Sequence, residues 1–193
     1  MVNSLTIAKT LSILGHPLLL GNIYVIAMSF HKMPVNQAIW VSSLLLVLVT
    51  LPIIIHNQKK VTSGTYSNFD VSDQNQRKSF YPFAIVLFVL LNLAFYQLNL
   101  PQEVINHTLI FSGFLILMAV VNLYIKASLH AGIAFYISFS LWDIHWSLGL
   151  ALFILAIGIA WSRKYTRRHS LPELIIGGLI GALSGLSGLF LIF

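Results

Sequence analysis

The residues best equipped for chemistry lie in Ser162-Arg163-Lys164-Tyr165-Thr166-Arg167-Arg168-His169-Ser170-Leu171-Pro172-Glu173, a basic stretch between two apolar runs. Arg163 stands six positions before His169, and Glu173 stands four after it. A helix that starts near Ser170 brings this carboxylate close to the imidazole, because residues four apart share a helix face. An imidazole oriented by a carboxylate can act as a nucleophile, and a guanidinium beside it matches the oxygens of a phosphoryl group. The combination points to phosphate transfer. Two further polar runs carry compatible groups: Lys126, Ser128 and His130 in one, Arg77 and Lys78 in the other.

The elements that must position these residues are membrane helices. Apolar residues make up 58% of the 193 and charged residues only 8%, where a soluble domain has about a quarter charged. Mean hydropathy is +0.87. The fold class expected is an all-α integral membrane protein, a bundle of six to seven transmembrane helices forming one domain over residues 1–193. Seven apolar runs are candidates: Leu5 to Phe30, Gln37 to Ile55, Phe80 to Gln97, Val104 to Ile125, Leu129 to Trp142, Ser147 to Trp161 and Leu171 to Phe193. The fifth is the shortest, with an apolar part of only about 20 Å at 1.5 Å per residue. The first has no small-residue cleavage site after it and reads as a retained helix. One long polar loop, residues 57–79, separates the second and third runs. With no cysteine, disulfides, thiolate nucleophiles and thiolate metal sites are excluded.

Crossing parity gathers the chemistry. If each run crosses once, the 57–79 loop, the turn at Lys126 to His130 and the stretch from Ser162 to Pro172 share one membrane face. Of eleven Lys and Arg, nine fall there: Lys59, Lys60, Arg77, Lys78, Lys126, Arg163, Lys164, Arg167 and Arg168. Lys9 is near the same side and Lys32 on the other. The positive-inside rule makes the basic face cytoplasmic. The net charge of +6 is then a matter of topology and anionic lipid headgroups, with no nucleic acid implied.

These three segments resemble the type 2 phosphatidic acid phosphatase superfamily. Its third motif, Ser-Arg, five residues, His, three residues, Asp, is matched by Ser162-Arg163, His169 and Glu173, with Glu in place of Asp. Its second, Pro-Ser-Gly-His, is met by Ala127-Ser128-Leu129-His130. Its first, Lys, six residues, Arg-Pro, is met by Arg77 alone: Asp70 occupies the lysine position and Lys78 follows the arginine. The resemblance runs from Asp70 to the C-terminus. It implies a lipid phosphatase acting on a phosphate monoester or an isoprenyl diphosphate, with no metal or cofactor. His169 would attack phosphorus, Glu173 would fix its tautomer, and His130 would protonate the departing oxygen. Arg163, Arg77, Ser128, Lys78 and Lys126 would hold the phosphoryl oxygens. The expected setting is a bacterial inner membrane.

Plainer readings stand beside these. Lys164, Arg167 and Arg168 suit headgroup anchors. His16, followed by Pro17, reads as a kink site, and His31, His56, His107 and His145 as interfacial residues. Asp143 and His145 are too few for a metal site. Asp70 and Asp73 resemble the magnesium-diphosphate carboxylates of membrane prenyltransferases, though Asp73 also suits a helix cap. A non-catalytic lipid-binding or transport protein of the same fold is a further alternative. Gly177, Gly181 and Gly185 form a small-residue face, suited to packing inside the bundle or to homo-oligomerisation.

The charge asymmetry makes a direct prediction. In this cysteine-free chain, Asn36→Cys should react with an impermeant thiol reagent added outside the cell and Ser67→Cys should not. The opposite pattern reverses the orientation.

Overall fold

The computed structural model describes residues 3–142 and 145–191; Asp143, half of the Asp143/His145 pair, lies outside them. Every element among the described residues is helical. In order they are α1 (Ser4–Leu14), α2 (Pro17–Lys32), α3 (Val35–Thr62), α4 (Gln74–Gln97), α5 (Gln102–Asn122), α6 (Leu129–Ser140), α7 (Trp146–Tyr165) and α8 (Leu171–Leu191). Among the described residues each of the seven apolar runs is mainly helical, the first as two helices. Helices α3, α4, α5, α7 and α8 are long and apolar enough to cross a bilayer, and α1 with α2 makes a sixth span if the bent pair counts as one. Helix α6 has 12 residues, about 18 Å against a hydrocarbon core of roughly 30 Å. Ile13, Val47, Leu93, Ile154 and Leu183 are all more than half exposed. Apolar side chains facing outward along spanning helices meet lipid, and the chain is an integral membrane protein.

The helices form two compact units. One joins the chain up to Gly21 with the chain from Ile125 on; the other runs from Asn22 to Tyr124, so the division falls inside α2. The cause of the split is that the N-terminal residues find their partners near the C-terminus. Gly15 lies against Ile159 so closely that a Cβ would come within 2.5 Å of its side chain.

In the Asn22–Tyr124 unit, α3 contains a π-helical turn at Leu46–Thr50, and Thr50 Oγ1 donates to Asn22 Oδ1 over 2.9 Å. Asn92 Nδ2 donates to Ser112 Oγ at 3.2 Å, joining α4 to α5 by a side-chain bond of the kind that is useful where water is absent. The polar loop is shorter than residues 57–79. Helix α3 continues through the hydrophilic Asn57–Thr62, and α4 starts at Gln74, where the Asp73 carboxylate accepts from the amides of Asn75 and Gln76. Hydropathy marks where lipid ends, whereas a helix ends where its caps are. His56 is also more than interfacial, since its ring stacks on Phe83 at 4.1 Å.

In the other unit α6 is central. His130, Ala131, Ala134, Tyr136, Ile137 and Ser138 are all buried, and Ser138 Oγ donates to the Gly149 carbonyl at 3.1 Å. Helix α8 lies against α6 along its glycine face. A Cβ at Gly177 would come within 2.5 Å of the Ser128 carbonyl, at Gly181 within 2.0 Å of the Gly132 carbonyl, and at Gly185 within 2.5 Å of the Tyr136 carbonyl. This face is therefore covered by the chain's own α6.

Because the obstacle at Gly181 is backbone, Gly181→Ala should cost about 1–3 kcal/mol and lower the melting temperature in detergent. Gly113→Ala, with open space around it, should be neutral or gain about 0.5–1 kcal/mol. Equal melting temperatures for the two variants would contradict the close approach of α6 and α8.

Candidate active site

The spacing from Arg163 to His169 is set by how α7 ends. Arg167 has φ +56, its amide donates to the Lys164 carbonyl at 3.0 Å, and the Arg168 amide donates to the Arg163 carbonyl at 2.9 Å. These two bonds make a Schellman turn, which reverses the chain and supplies partners for carbonyls at the helix end. The His169 amide then reaches the same Arg163 carbonyl at 3.3 Å. Five intervening residues are what this reversal needs. Glycine is the usual occupant of the left-handed position; here it is arginine, at a cost of roughly 1 kcal/mol.

The reversal feeds the first turn of α8. His169 Nδ1 lies 2.7 Å from Glu173 Oε2, and the same oxygen accepts from the Ser170 amide at 3.3 Å. With the Glu173 oxygen as the acceptor, Nδ1 carries the imidazole proton. The His169 side chain is 1% exposed and that of Glu173 21%. Arg163 is 2% exposed, and its Nη1 donates to Ser12 Oγ at 2.6 Å.

His130 joins the arrangement through α6. Ser128 caps that helix, its side chain accepting from the Ala131 amide, and its own amide donates to the Glu173 carbonyl at 3.0 Å. The His130 ring, two residues on, meets the His16 ring edge to face at 5.6 Å between centroids. His16 Nδ1 accepts from the Leu18 amide at 3.3 Å, capping α2 just before Pro17. The contacts close into a ring: Arg163 to Ser12, the chain from Ser12 to His16, His16 to His130, Ser128 to Glu173, Glu173 to His169, and His169 back to Arg163. Three histidines, a carboxylate and a guanidinium are thus drawn together from both ends of the sequence.

Other expected site residues sit differently. Ser128 is fully buried, its side chain capping α6 and its amide bonded to the Glu173 carbonyl. Lys126 faces Glu173, with Nζ 3.9 Å from Oε2. Arg77 and Lys78 belong to the Asn22–Tyr124 unit. There Arg77 is buried, its Nε donating to the Val71 carbonyl at 2.9 Å and its Nη1 to Asn122 Oδ1 at 3.3 Å. Val71 takes φ +48 to make that bond, unusual for a β-branched residue. Lys78 is exposed, as are Lys164, Arg167 and Arg168. The site gains two residues that sequence reasoning missed, Ser12 and His16. The signal for His16 was a histidine inside an apolar run at a Gly-His-Pro break; for Ser12 there was none.

The chain matches no protein-family model, no curated protein and no solved structure.

The left-handed arginine gives a test of the turn. Arg167→Gly should raise the thermal stability by about 0.5–1 kcal/mol, because glycine occupies that conformation without strain. A loss of stability would mean that the Arg167 side chain contributes more than its backbone costs.

Proposed function

We propose that this protein is a membrane lipid phosphatase that hydrolyses a lipid phosphate monoester or an isoprenyl diphosphate through a phosphohistidine on His169. The observation that carries the reading is the 2.7 Å contact of His169 Nδ1 with Glu173 Oε2, with the buried Arg163 held against the same turn. His169 Nε2 attacks phosphorus, the bond to the lipid oxygen breaks, and His130 gives that oxygen a proton. Water then attacks the phosphohistidine, returns its proton to His130, and inorganic phosphate leaves with His169 restored. Glu173 stabilises the imidazolium character that develops on His169, and Arg163 offsets charge on the equatorial oxygens. Nucleophile, acid and counter-charge are all side chains, so the reaction proposed requires no metal. We place the protein in a bacterial inner membrane with the basic turns cytoplasmic, on the charge asymmetry.

One observation favours a second reading. With its side chain 1% exposed, His169 is as well suited to a structural clasp in a non-catalytic lipid-binding protein as to catalysis. Nothing favours the magnesium-dependent prenyltransferase, since the Asp73 carboxylate is committed to capping α4.

Phosphate release from lipid phosphates by purified protein in chelator separates the readings. His169→Ala should abolish turnover while lipid binding persists, because Arg163 is still present. Glu173→Gln should lower kcat by about two orders of magnitude or more without unfolding the chain, as it removes the charge that stabilises the imidazolium. His130→Ala should slow poor leaving groups more than an activated aryl phosphate. Lipid binding with no release by the unaltered protein would establish the second reading.

A further inference from the structure

Helices α1 and α2 meet at a bend of 51°, and three adjacent residues account for it. Gly15 allows close approach to Ile159, His16 caps α2, and Pro17 opens it with a preset φ. The bend places two polar side chains against the site. Ser12 Oγ accepts from Arg163 Nη1 at 2.6 Å across 151 positions of sequence, and the His16 ring stands at 85° to that of His130. Since Leu18 ties down His16 Nδ1, the neutral ring carries its proton on Nε2, and its orientation is fixed by the backbone of α2. A fixed ring packed edge to face restricts the rotamers of its neighbour.

We propose that the bent N-terminal helix pair belongs to the catalytic site, with Ser12 and His16 as positioning residues for Arg163 and His130. The consequence for turnover rests on the phosphatase reading; the positional claim does not. Ser12 aims the guanidinium at the phosphoryl oxygens, and His16 holds the His130 ring where the leaving oxygen departs. The Arg163–Ser12 and His16–His130 contacts thereby connect the N-terminal segment to the third and second sequence motifs.

The test uses the full chain in detergent with phosphatidic acid in mixed micelles and with para-nitrophenyl phosphate. His16→Asn is the informative variant, because asparagine preserves a helix cap but lacks the ring. It should lower kcat on phosphatidic acid about tenfold and spare the aryl phosphate, whose leaving group needs little protonation. Ser12→Ala should raise KM for both substrates about tenfold with kcat nearly unchanged, as expected for loss of one hydrogen bond to a charged phosphate binder. Wild-type values for both variants, or equal losses on both substrates accompanied by a lower melting temperature, would overturn the proposal. An independent readout is the imidazole nitrogen resonances of His130, which should move in His16→Asn; unchanged resonances also overturn it. If the unaltered protein releases phosphate from neither substrate, the phosphatase reading has failed, and these resonances still decide the positional claim.

Discussion

The approach of α8 to α6 is the constraint on which the C-terminal unit depends. With the Gly181 and Gly132 backbones in contact, no side chain fits between the helices, and the interface is backbone against backbone along Gly177, Gly181 and Gly185. Membrane helices gain little from excluding lipid, so such contact, together with interhelical hydrogen bonds, is what holds them together. At the end of the seam the Ser128 amide meets the Glu173 carbonyl. That bond sets the first turn of α8 in register with the start of α6, and hence Glu173 with His130. Moving either helix by one residue would take Glu173 away from the start of α6.

The reversal after α7 plays the complementary part. It returns the chain so that His169 arrives under Arg163, with the histidine side chain removed from solvent. In such surroundings electrostatic interactions are stronger than in water, and an imidazole held by one carboxylate has its tautomer chosen in advance. The arginine in a left-handed position is a local strain tolerated within that turn. Lys164, Arg167 and Arg168 are exposed beside it.

Much of this was legible in the sequence, and what was not has physical causes. Among the described residues all seven apolar runs are mainly helical, because a lipid-exposed backbone has few other ways to satisfy its polar groups. The His169–Glu173 pair followed from helix periodicity, a local rule. The extent of the polar loop did not, since Asn57 to Thr62 are hydrophilic yet helical and Asp73, not hydropathy, starts α4. The partners of Arg77, the Val71 carbonyl and the Asn122 amide oxygen, have no signature in sequence. Ser128 was noticed for its type, but its role as a cap depends on where α6 begins. His16 was read as a kink, which the bend at Gly15 and His16 agrees with; its contact with His130 is a tertiary fact that no spacing announces.

The central claim, that His169 becomes phosphorylated, is tested most directly by trapping the intermediate. Purified protein mixed briefly with a phosphorus-labelled lipid phosphate in chelator should be quenched in alkali and digested for mass spectrometry. The account predicts an alkali-stable, acid-labile phosphate on the peptide containing His169, lost in His169→Ala and accumulated when hydrolysis is slowed. Phosphate release with label on another residue, or turnover that continues in His169→Ala, would contradict it.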